Sequence, residues 1–298
     1  MKQIGPVKLI EGPSKSKVPF SRSLYIEGSA EKVLIDTGAD STLLKQIQAD
    51  SGVDLVINTH YHPDHTRHNV LFHETEKWIN TIEFHMPLTI EGIAKANGIF
   101  QEWGPEGVKK WEKEIPEIWI KSLTQINGFY EYEKQYSFGN IHVHFLHTPG
   151  HTKGFCCPYF PDLGIVFTGD YDMTSFGPWY NGTDGSIEEF ISSAKRLLSL
   201  DAKYYITGHQ KGTFQKNEFH HAMINYLSII DHRDEVIEKF VQKGISFDEL
   251  TRIGIFYPKH ALEHSLFMTW ERSGIRKHLS RLGYTVVDSE IKRIMVKK

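Results

Sequence analysis

Cysteine is scarce in this sequence. Its 298 residues include two cysteines, Cys156 and Cys157, and adjacent residues almost never form a disulfide with each other within one domain. A fold held by a disulfide framework is therefore excluded, and a reducing cytoplasm is the expected location. A reactive or ligating thiol is the alternative to packing in the core, which is the usual place of a free cysteine.

The sequence also lacks an excess of basic charge and any long apolar run. The net charge is −3 at pH 7, so no overall positive field attracts a nucleic acid. No uninterrupted apolar run is long enough to span a bilayer, and residues 1–17 lack the apolar stretch of a secretion signal. We therefore expect no membrane partner, disfavour a nucleic-acid partner and favour a small-molecule substrate. The length suits one large domain, alone or with an appendage.

Histidine, by contrast, is abundant, with 17 residues in the chain. Three of them, with one aspartate, stand in the segment 59–65, directly after the apolar strand pattern of residues 53–57. In extended backbone the first two point the same way, and Pro63 then turns the chain so that the next two ligands can face a neighbouring point. The segment could supply half of two adjacent metal sites, or it could be a histidine-rich surface loop. Its ligand-type residues are His60, His62, Asp64 and His65.

A closed metal site needs further ligands, and three later segments share one pattern that could provide them. In each, an apolar strand is followed by a small turn residue and then by a residue that binds metals. A ligand fixed at a strand end loses little entropy on coordination, and a glycine beside it leaves room for close approach. The three residues are His151, Asp170 and His209.

This order of ligands resembles the metallo-β-lactamase superfamily. The pattern His-x-His-x-Asp-His is followed by the three strand-end ligands in the family's order, and Leu34-Ile35-Asp36-Thr37-Gly38 is similar to the aspartate motif that such enzymes carry upstream. The resemblance covers about residues 20–212. It implies an α/β fold, a four-layer αβ/βα sandwich, with a dinuclear metal site on its open edge.

The resemblance also implies a role for each ligand and a cofactor of two divalent metal ions, zinc first, with iron or manganese as alternatives. Position by position, the ligands are His60, His62 and His151 for one metal, Asp64, His65 and His209 for the other, and Asp170 between the two. Asp64 is also the expected catalytic residue, since it can orient the attacking water. Asp36 would orient a metal-binding imidazole from behind, unless it is an ordinary turn aspartate.

The chain divides into a predicted catalytic domain over 1–212 and a mainly helical region over 213–298. An aromatic-rich insertion, about 70–138, carries helical patterns at 88–97 and 106–126. We expect most of its aromatic side chains to pack on the core and part of the insertion to form a helical lid or a partner surface over the site. The C-terminal region ends in a predicted hairpin, 284–287 with 291–296. It resembles, loosely, the winged-helix-like tail of β-lactamase-like endoribonucleases and some lactonase-like hydrolases. A helical appendage that completes the fold and a contact in a homo-oligomer are the alternatives.

The loop after Asp170 is the predicted wall of a substrate pocket. It begins directly after a proposed ligand and carries aromatic and hydroxyl groups. The alternative is a loop whose side chains pack against each other, which would have the same composition. The candidate pocket residues are Tyr171, Trp179 and Tyr180.

Together these features predict a metal-dependent hydrolase of a small ester, thioester or lactone. Two metals that share a water molecule lower its pKa toward neutrality, so no serine or cysteine nucleophile is needed. A metal-dependent ribonuclease or phosphodiesterase is one alternative, suggested by the C-terminal tail with Lys292-Arg293 and Lys297-Lys298. A mononuclear-iron, persulfide-type dioxygenase is the other, because such relatives keep the histidine framework with a single metal.

Overall fold

Two β-sheets that lie face to face form the frame of the protein, whose computed structural model describes residues 2–84, 89–115 and 126–294. Within these ranges the first sheet has seven strands, which follow chain order across the sheet. The first four pair antiparallel, and the fourth to the seventh pair parallel. They are β1 (Lys2–Ile4), β2 (Val7–Ile10), β3 (Ser23–Glu27), β4 (Lys32–Ile35), β5 (Leu55–Ile57), β6 (Glu76–Asn80) and β7 (Gly128–Tyr130).

The second sheet has six strands in the described part of the chain. They are β8 (Gln135–Ser137), β9 (His142–His147), β10 (Cys156–Phe160), β11 (Ile165–Gly169), β12 (Tyr204–Thr207) and β13 (Thr213–Gln215). Their spatial order runs from β13 back to β8, and β11 with β12 is the parallel pair. Because β11 and β12 both point toward the same edge, the ligand-type residues that follow them emerge side by side.

Helices cover both outer faces of the sandwich. They are α1 (Ser41–Asp50), α2 (Pro63–Thr66), α3 (Thr81–Phe84), α4 (Ile90–Ala96), α5 (Ile99–Glu112), α6 (Ile187–Ser199), α7 (Lys216–Val241), α8 (Phe247–Thr251) and α9 (Ser265–Arg281), with one left-handed turn at Pro13–Ser16 and 3₁₀ turns at Asn69–Phe72, Pro161–Leu163 and Lys259–Glu263. Side-chain caps fix several helix starts, since Asp40 accepts from the N–H of Thr42 and Ser186 accepts from that of Glu189. The pattern at 88–97 matches α4, whereas α5 begins before the predicted 106 and part of the 106–126 pattern lies outside the described residues.

The distribution of apolar side chains explains the layered architecture. Alternate strand residues such as Leu24 and Phe167 fill the space between the sheets, while their neighbours face the outer helices. On the far side of the first sheet, Leu34 packs against Leu44 of α1, and on the far side of the second, Val166 joins the cluster that contains α6 and α7. The predicted four-layer αβ/βα sandwich is confirmed.

The C-terminal region continues from the sandwich without a break in packing. Strand β13 pairs with Tyr204–Ile206 of β12, so the chain beyond residue 212 starts inside the second sheet. Helix α9 packs against α7 and α5, and its Ile275 and Leu279 lie in the same apolar cluster as Tyr205. The predicted terminal hairpin is present as β14 (Tyr284–Val287) and β15 (Glu290–Arg293).

Two cationic side chains of the C-terminal region hold the loop that follows β11. Buried Arg233 donates from Nη1 to the Pro178 carbonyl at 2.7 Å and to the Tyr180 hydroxyl at 3.0 Å. Lys277 donates from Nζ to the Tyr180 carbonyl at 2.7 Å and to the Gly185 carbonyl at 2.6 Å. These bonds satisfy loop carbonyls that water cannot reach, so the loop has a fixed shape.

None of the helices in the described ranges has both the length and the apolar content required to cross a membrane.

The role of Arg233 can be tested by its replacement with methionine. Arg233→Met leaves buried loop carbonyls without donors, and we expect the free energy of unfolding to fall by about 2–3 kcal/mol. Urea denaturation measures this as a lower midpoint with an unchanged slope. The matched change Arg252→Met, at an exposed arginine, should stay within about 0.5 kcal/mol of the native chain. Equal stability of the two variants would show that the loop does not depend on Arg233.

Candidate metal centre

Every ligand-type residue selected from the sequence follows the end of a strand on one edge of the sandwich. The segment after β5 carries the first group, with Asp64 and His65 on the short helix α2, and the later three residues follow β9, β11 and β12. Backbone ends held by sheet pairing bring these distant parts of the chain together. The side chains that meet there are His60, His62, Asp64, His65, His151, Asp170 and His209.

Among the described residues, these side chains form two groups whose ligand atoms lie within 4.8 Å of one another. The first group is His60, His62, His151 and Asp170. Here the Nε2 atom of His151 lies 2.9 Å from Nδ1 of His62 and 3.2 Å from Oδ2 of Asp170. Three imidazoles and a carboxylate converging on one point form a ligand set that suits a divalent transition metal.

The second group is Asp64, His65, Asp170 and His209. The Nε2 atom of His65 lies 2.9 Å from Oδ1 of Asp170, and Nε2 of His209 lies 3.4 Å from Oδ2 of Asp64. His209 Nε2 is also 3.5 Å from Oδ2 of Asp170. Asp170 therefore faces both groups and is the one residue that they share.

In three of the imidazoles, a hydrogen bond at Nδ1, the nitrogen that faces away from the ligand groups, fixes the orientation of the ring. Nδ1 of His151 donates to the Trp179 carbonyl at 3.0 Å, and Nδ1 of His209 donates to the Ser16 carbonyl at 2.9 Å. Nδ1 of His65 lies 2.7 Å from a carboxylate oxygen of Asp36. In each ring Nδ1 carries a proton, so Nε2 is the nitrogen that faces the group, and it can bind a metal once it has lost its own proton.

Asp36 orients two histidines at once. Besides its bond to His65, it accepts from the backbone N–H of Thr59 at 2.8 Å and from the Thr59 hydroxyl at 2.9 Å. That hydroxyl lies 3.0 Å from Nδ1 of His60, which donates to it because the hydroxyl proton is already used. Asp36 is fully buried and lies behind the imidazoles rather than among the metal-facing atoms.

Two glycines make this arrangement possible. A Cβ atom on Gly38 would lie 1.8 Å from the backbone oxygen of Asp64, so no larger residue fits where the Asp36 turn meets α2. Gly150, which precedes the ligand His151, has φ +124° and would place a Cβ 2.2 Å from the backbone nitrogen of Phe190. Both positions need the absence of a side chain for the ligand loops to approach their supports.

The charges in the centre divide the histidines into two kinds. Burial, together with the neighbouring imidazoles, lowers the pKa of His60 and His62 well below the usual value, and burial lowers the pKa of His151. These three rings are therefore neutral, which is the ligating form. Burial also opposes protonation of His209, but Asp170 outweighs it and raises the pKa of His209 to about 9. Burial opposes the charged form of Asp170, but the imidazoles of His151, His65 and His209 outweigh it and hold the pKa of Asp170 well below its ordinary range.

One buried atom tests whether these residues fit a metal. Nε2 of His60 is fully buried and has no hydrogen-bond partner among the residues that the structure describes, although buried polar atoms nearly always have one. The other nitrogen of the same ring is engaged by Thr59, so the unpartnered nitrogen carries a lone pair aimed into the first group. A cation is the partner that this atom and its neighbours fit, and the donor set is consistent with it.

A cavity of about 350 Å³ opens onto both groups. His62, Asp64, His151, Asp170 and His209 lie in its wall, which is otherwise rich in aromatic rings. Of the three pocket residues expected from the sequence, Trp179 lines the cavity.

Tyr171 and Tyr180 do not line the cavity, which corrects the sequence-based expectation. Both are fully buried. The Tyr171 hydroxyl donates to the Pro149 carbonyl at 3.1 Å, and the Tyr180 hydroxyl pairs with Nε2 of His278 at 2.8 Å. Each tyrosine can satisfy its hydroxyl inside the protein, so these rings turn inward while the Trp179 ring faces the cavity.

Several site residues were not predicted from the sequence. From the insertion, α4 contributes Ile93 to the cavity wall and Asn97 follows at its end, while the C-terminal region contributes Tyr257, Phe267 and Trp270. The spacing of Phe267 and Trp270 is typical of any amphipathic helix face, so it carried no specific signal. The remaining parts of the insertion at residues 85–88 and 116–125 lie outside the described residues.

Glu83 was also missed, and it joins the two ligand loops. Its carboxylate accepts from the N–H of Tyr61, between two ligands, at 3.0 Å, and from the Thr152 hydroxyl and the Gly154 N–H at 2.7 Å each. Burial and nearby Asp184 raise the pKa of Glu83 to about 8, against these three hydrogen bonds. Glu83 acts between segments about 70 residues apart in the chain, and no local sequence pattern marks such a contact.

Comparison with known proteins gives one matching family. The sequence profile of the metallo-beta-lactamase superfamily matches residues 17–82 and 93–209, more than half of the chain. An uncharacterized protein of Aquifex aeolicus (strain VF5) is 26% identical over 178 residues, which are 58% of this chain and 74% of that protein.

Solved structures are similar over nearly the whole chain. A metallo-beta-lactamase family protein from Thermus thermophilus has a TM-score of 0.67 at 17% identity, covering 97% of this chain and 99% of the other. A beta-lactamase domain protein from Burkholderia ambifaria has a TM-score of 0.68 at 14% identity, covering 99% of this chain and 93% of the other. At such low identities the likeness is one of fold, and it includes the C-terminal region.

Replacing the Asp36 carboxylate with an amide tests whether it supports the metal ligands. Asp36→Asn keeps the shape but weakens the bond to Nδ1 of His65, and we expect zinc affinity to fall about 10- to 100-fold. Competition with a chromophoric chelator measures the change. Asp40→Asn is the control, because Asp40 caps α1 in the same region and asparagine caps equally well. Equal zinc affinity in both variants would contradict a supporting role for Asp36.

Proposed function

The chain belongs to the metallo-beta-lactamase superfamily, and from that premise we propose that it is a metal-dependent hydrolase of a small ester, thioester or lactone. The observation that supports this most is the pair of ligand groups that share Asp170 at the mouth of a cavity. A substrate in that cavity would have its reactive carbonyl beside both groups.

The chain's own residues suit two divalent cations. His60, His62 and His151 would hold one, Asp64, His65 and His209 the other, and Asp170 would contact both. Imidazole-rich sites favour zinc, and iron or manganese are compatible with the carboxylates. When bound, such cations supply Lewis-acid polarisation of a carbonyl and lower the pKa of a water molecule toward neutrality.

Asp64 is the residue we propose for positioning the attacking water. Its side chain is 15% exposed and lies in the cavity wall, and Oδ2 is 3.4 Å from Nε2 of His209. A carboxylate there can accept a hydrogen bond from a water molecule and hold its oxygen toward the substrate carbonyl. The support that Asp36 gives to His65 keeps the neighbouring ligands fixed while this happens.

Neither cysteine competes with water as the nucleophile. Cys156 and Cys157 are fully buried, and burial raises the pKa of Cys157 to about 12 and that of Cys156 well above its usual value. The thiols are therefore protonated and inert, as packing residues are.

The cavity favours carbon esters over phosphodiesters. Lys17 is the one lysine or arginine among the described residues that line it, and Lys17 lies at the exposed rim. Nucleic-acid binding depends on several such cations facing the phosphates. The nuclease alternative is thus less well supported than the hydrolase.

Metal content and ester hydrolysis, measured on the same preparations, test the proposal. We expect two zinc or manganese ions per chain, loss of 4-nitrophenyl acetate hydrolysis with a chelator, and its return with added metal. His209→Ala should bind one ion and lower kcat/KM by about 100-fold or more, because the second group loses a ligand. His221→Ala, at an exposed histidine, is the matched control and should keep both ions.

A different outcome would favour the dioxygenase instead. One iron per chain, with thiol-dependent oxygen consumption and no ester hydrolysis, would contradict the hydrolase.

A further inference from the structure

The cavity beside the metal centre has a continuous wall of aromatic rings drawn from separate parts of the chain. Trp179 comes from the loop after β11, and its ring lies 5.4 Å, centre to centre, from that of Trp270 on α9. Trp270 is 5.7 Å from Phe267, and Phe267 is 5.2 Å from Tyr257. Rings at these separations are in contact, so the wall has no polar break along it.

The wall starts at the metal ligands themselves. The ring of Trp179 lies 5.1 Å from that of His62 and 5.2 Å from that of His151. If the acyl part of a substrate lies against the wall, its carbonyl is therefore only a few atoms from the metal ligands. This continuity makes the substrate's own acyl part, rather than a separate ligand, the natural occupant.

The polar atoms of the wall are already paired within the protein. The indole N–H of Trp179 donates to the Tyr257 hydroxyl at 2.8 Å, and that of Trp270 donates to the Asn97 side-chain oxygen at 3.2 Å. The Tyr226 hydroxyl, also in the wall, donates to the Asp170 carbonyl at 3.2 Å. The wall thus presents mainly carbon atoms, and an apolar group can cover it without leaving a hydrogen-bond donor unpaired.

Among the described residues, no lysine or arginine lies beside the rings of the wall. The cation Lys17 lies at the exposed rim, with Val18 and Pro19. Of the acidic side chains in the cavity, Asp64 and Asp170 are proposed metal ligands, and Asp172 would repel a carboxylate or phosphate. An anionic tail would be desolvated against carbon without compensation.

We propose that this cavity is the acyl site, and that the substrate's acyl part is a single aromatic ring or a medium-length alkyl chain without charge. The inference rests on the hydrolase function proposed above. The volume of about 350 Å³ is near the lower end for small-molecule sites, which limits the group's size. In the reaction, the acyl C–O or C–S bond breaks, the water oxygen bonds to the carbonyl carbon, and the leaving group takes up the proton that water loses.

A series of esters tests the proposal on the zinc-loaded full-length chain. For 4-nitrophenyl esters from acetate to octanoate, we expect kcat/KM to rise about threefold per added methylene until the cavity is full. A 4-nitrophenyl ester of octanedioic acid, as long but ending in a carboxylate, should react at least about tenfold more slowly than the octanoate. A flat series, or a preference for the carboxylate, would overturn the proposal.

A variant shows whether the preference comes from the wall. Phe267→Ala should lower the octanoate-to-acetate ratio of kcat/KM about tenfold, because the chain loses one face of its site. Phe129→Ala is the matched control, since Phe129 is 46% exposed and outside the cavity wall. The ratio cancels any general loss of activity, and thermal melting verifies that both variants are folded. The same ratio in both variants would overturn the assignment.

Binding provides a readout that does not need catalysis. Octanamide, which is uncharged and resists hydrolysis, should quench tryptophan fluorescence saturably with and without metal, and less tightly in Phe267→Ala. If octanamide binds but no ester is hydrolysed, the hydrolase function fails while the apolar site remains. If esters are hydrolysed without dependence on chain length and octanamide does not bind, the acyl site is wrong and the hydrolase remains.

Discussion

The shared position of Asp170 is the constraint on which the rest of the site depends. Its oxygens reach both groups, since Oδ1 lies 2.9 Å from Nε2 of His65, and Oδ2 lies 3.2 Å from Nε2 of His151 and 3.5 Å from Nε2 of His209. A carboxylate this deeply placed is tolerable only with positive charge or strong donors around it. Strand β11 fixes where Asp170 emerges, and the parallel neighbour β12 brings His209 to the same edge. The parallel pairing of β11 and β12 in the second sheet thus places the two ligand groups next to each other.

The C-terminal region both holds the loop after β11 in place and forms part of the cavity wall. Arg233 and Lys277 bind carbonyls of the loop after β11, and that loop presents Trp179 to the cavity. Helix α9, which carries Lys277, also carries Phe267 and Trp270. The C-terminal region therefore stabilises the loop and shapes the space beside it. The stability of the loop and the shape of the cavity depend on one interface, so changes there will affect both.

Local features of the sequence predicted the sandwich and the convergent side chains well, because every ligand or run of ligands follows the end of a strand and can be recognised without distant information. The pattern His-x-His-x-Asp-His is a property of six consecutive residues, and the terminal hairpin is similarly local. The loop after Asp170 was harder to predict, since no periodicity separates the half-buried ring of Trp179, which faces the cavity, from the fully buried ring of Tyr180. Glu83 and Phe267 could not be predicted at all, since their partners are set by tertiary packing.

Anomalous diffraction from crystals grown with zinc shows whether Asp170 is shared by two metals, because it locates each metal and its ligands without reference to any reaction. We expect two zinc ions about 3.5–4 Å apart, one in each ligand group, with Asp170 bound to both. A single ion, or two ions that do not share Asp170, would contradict this expectation.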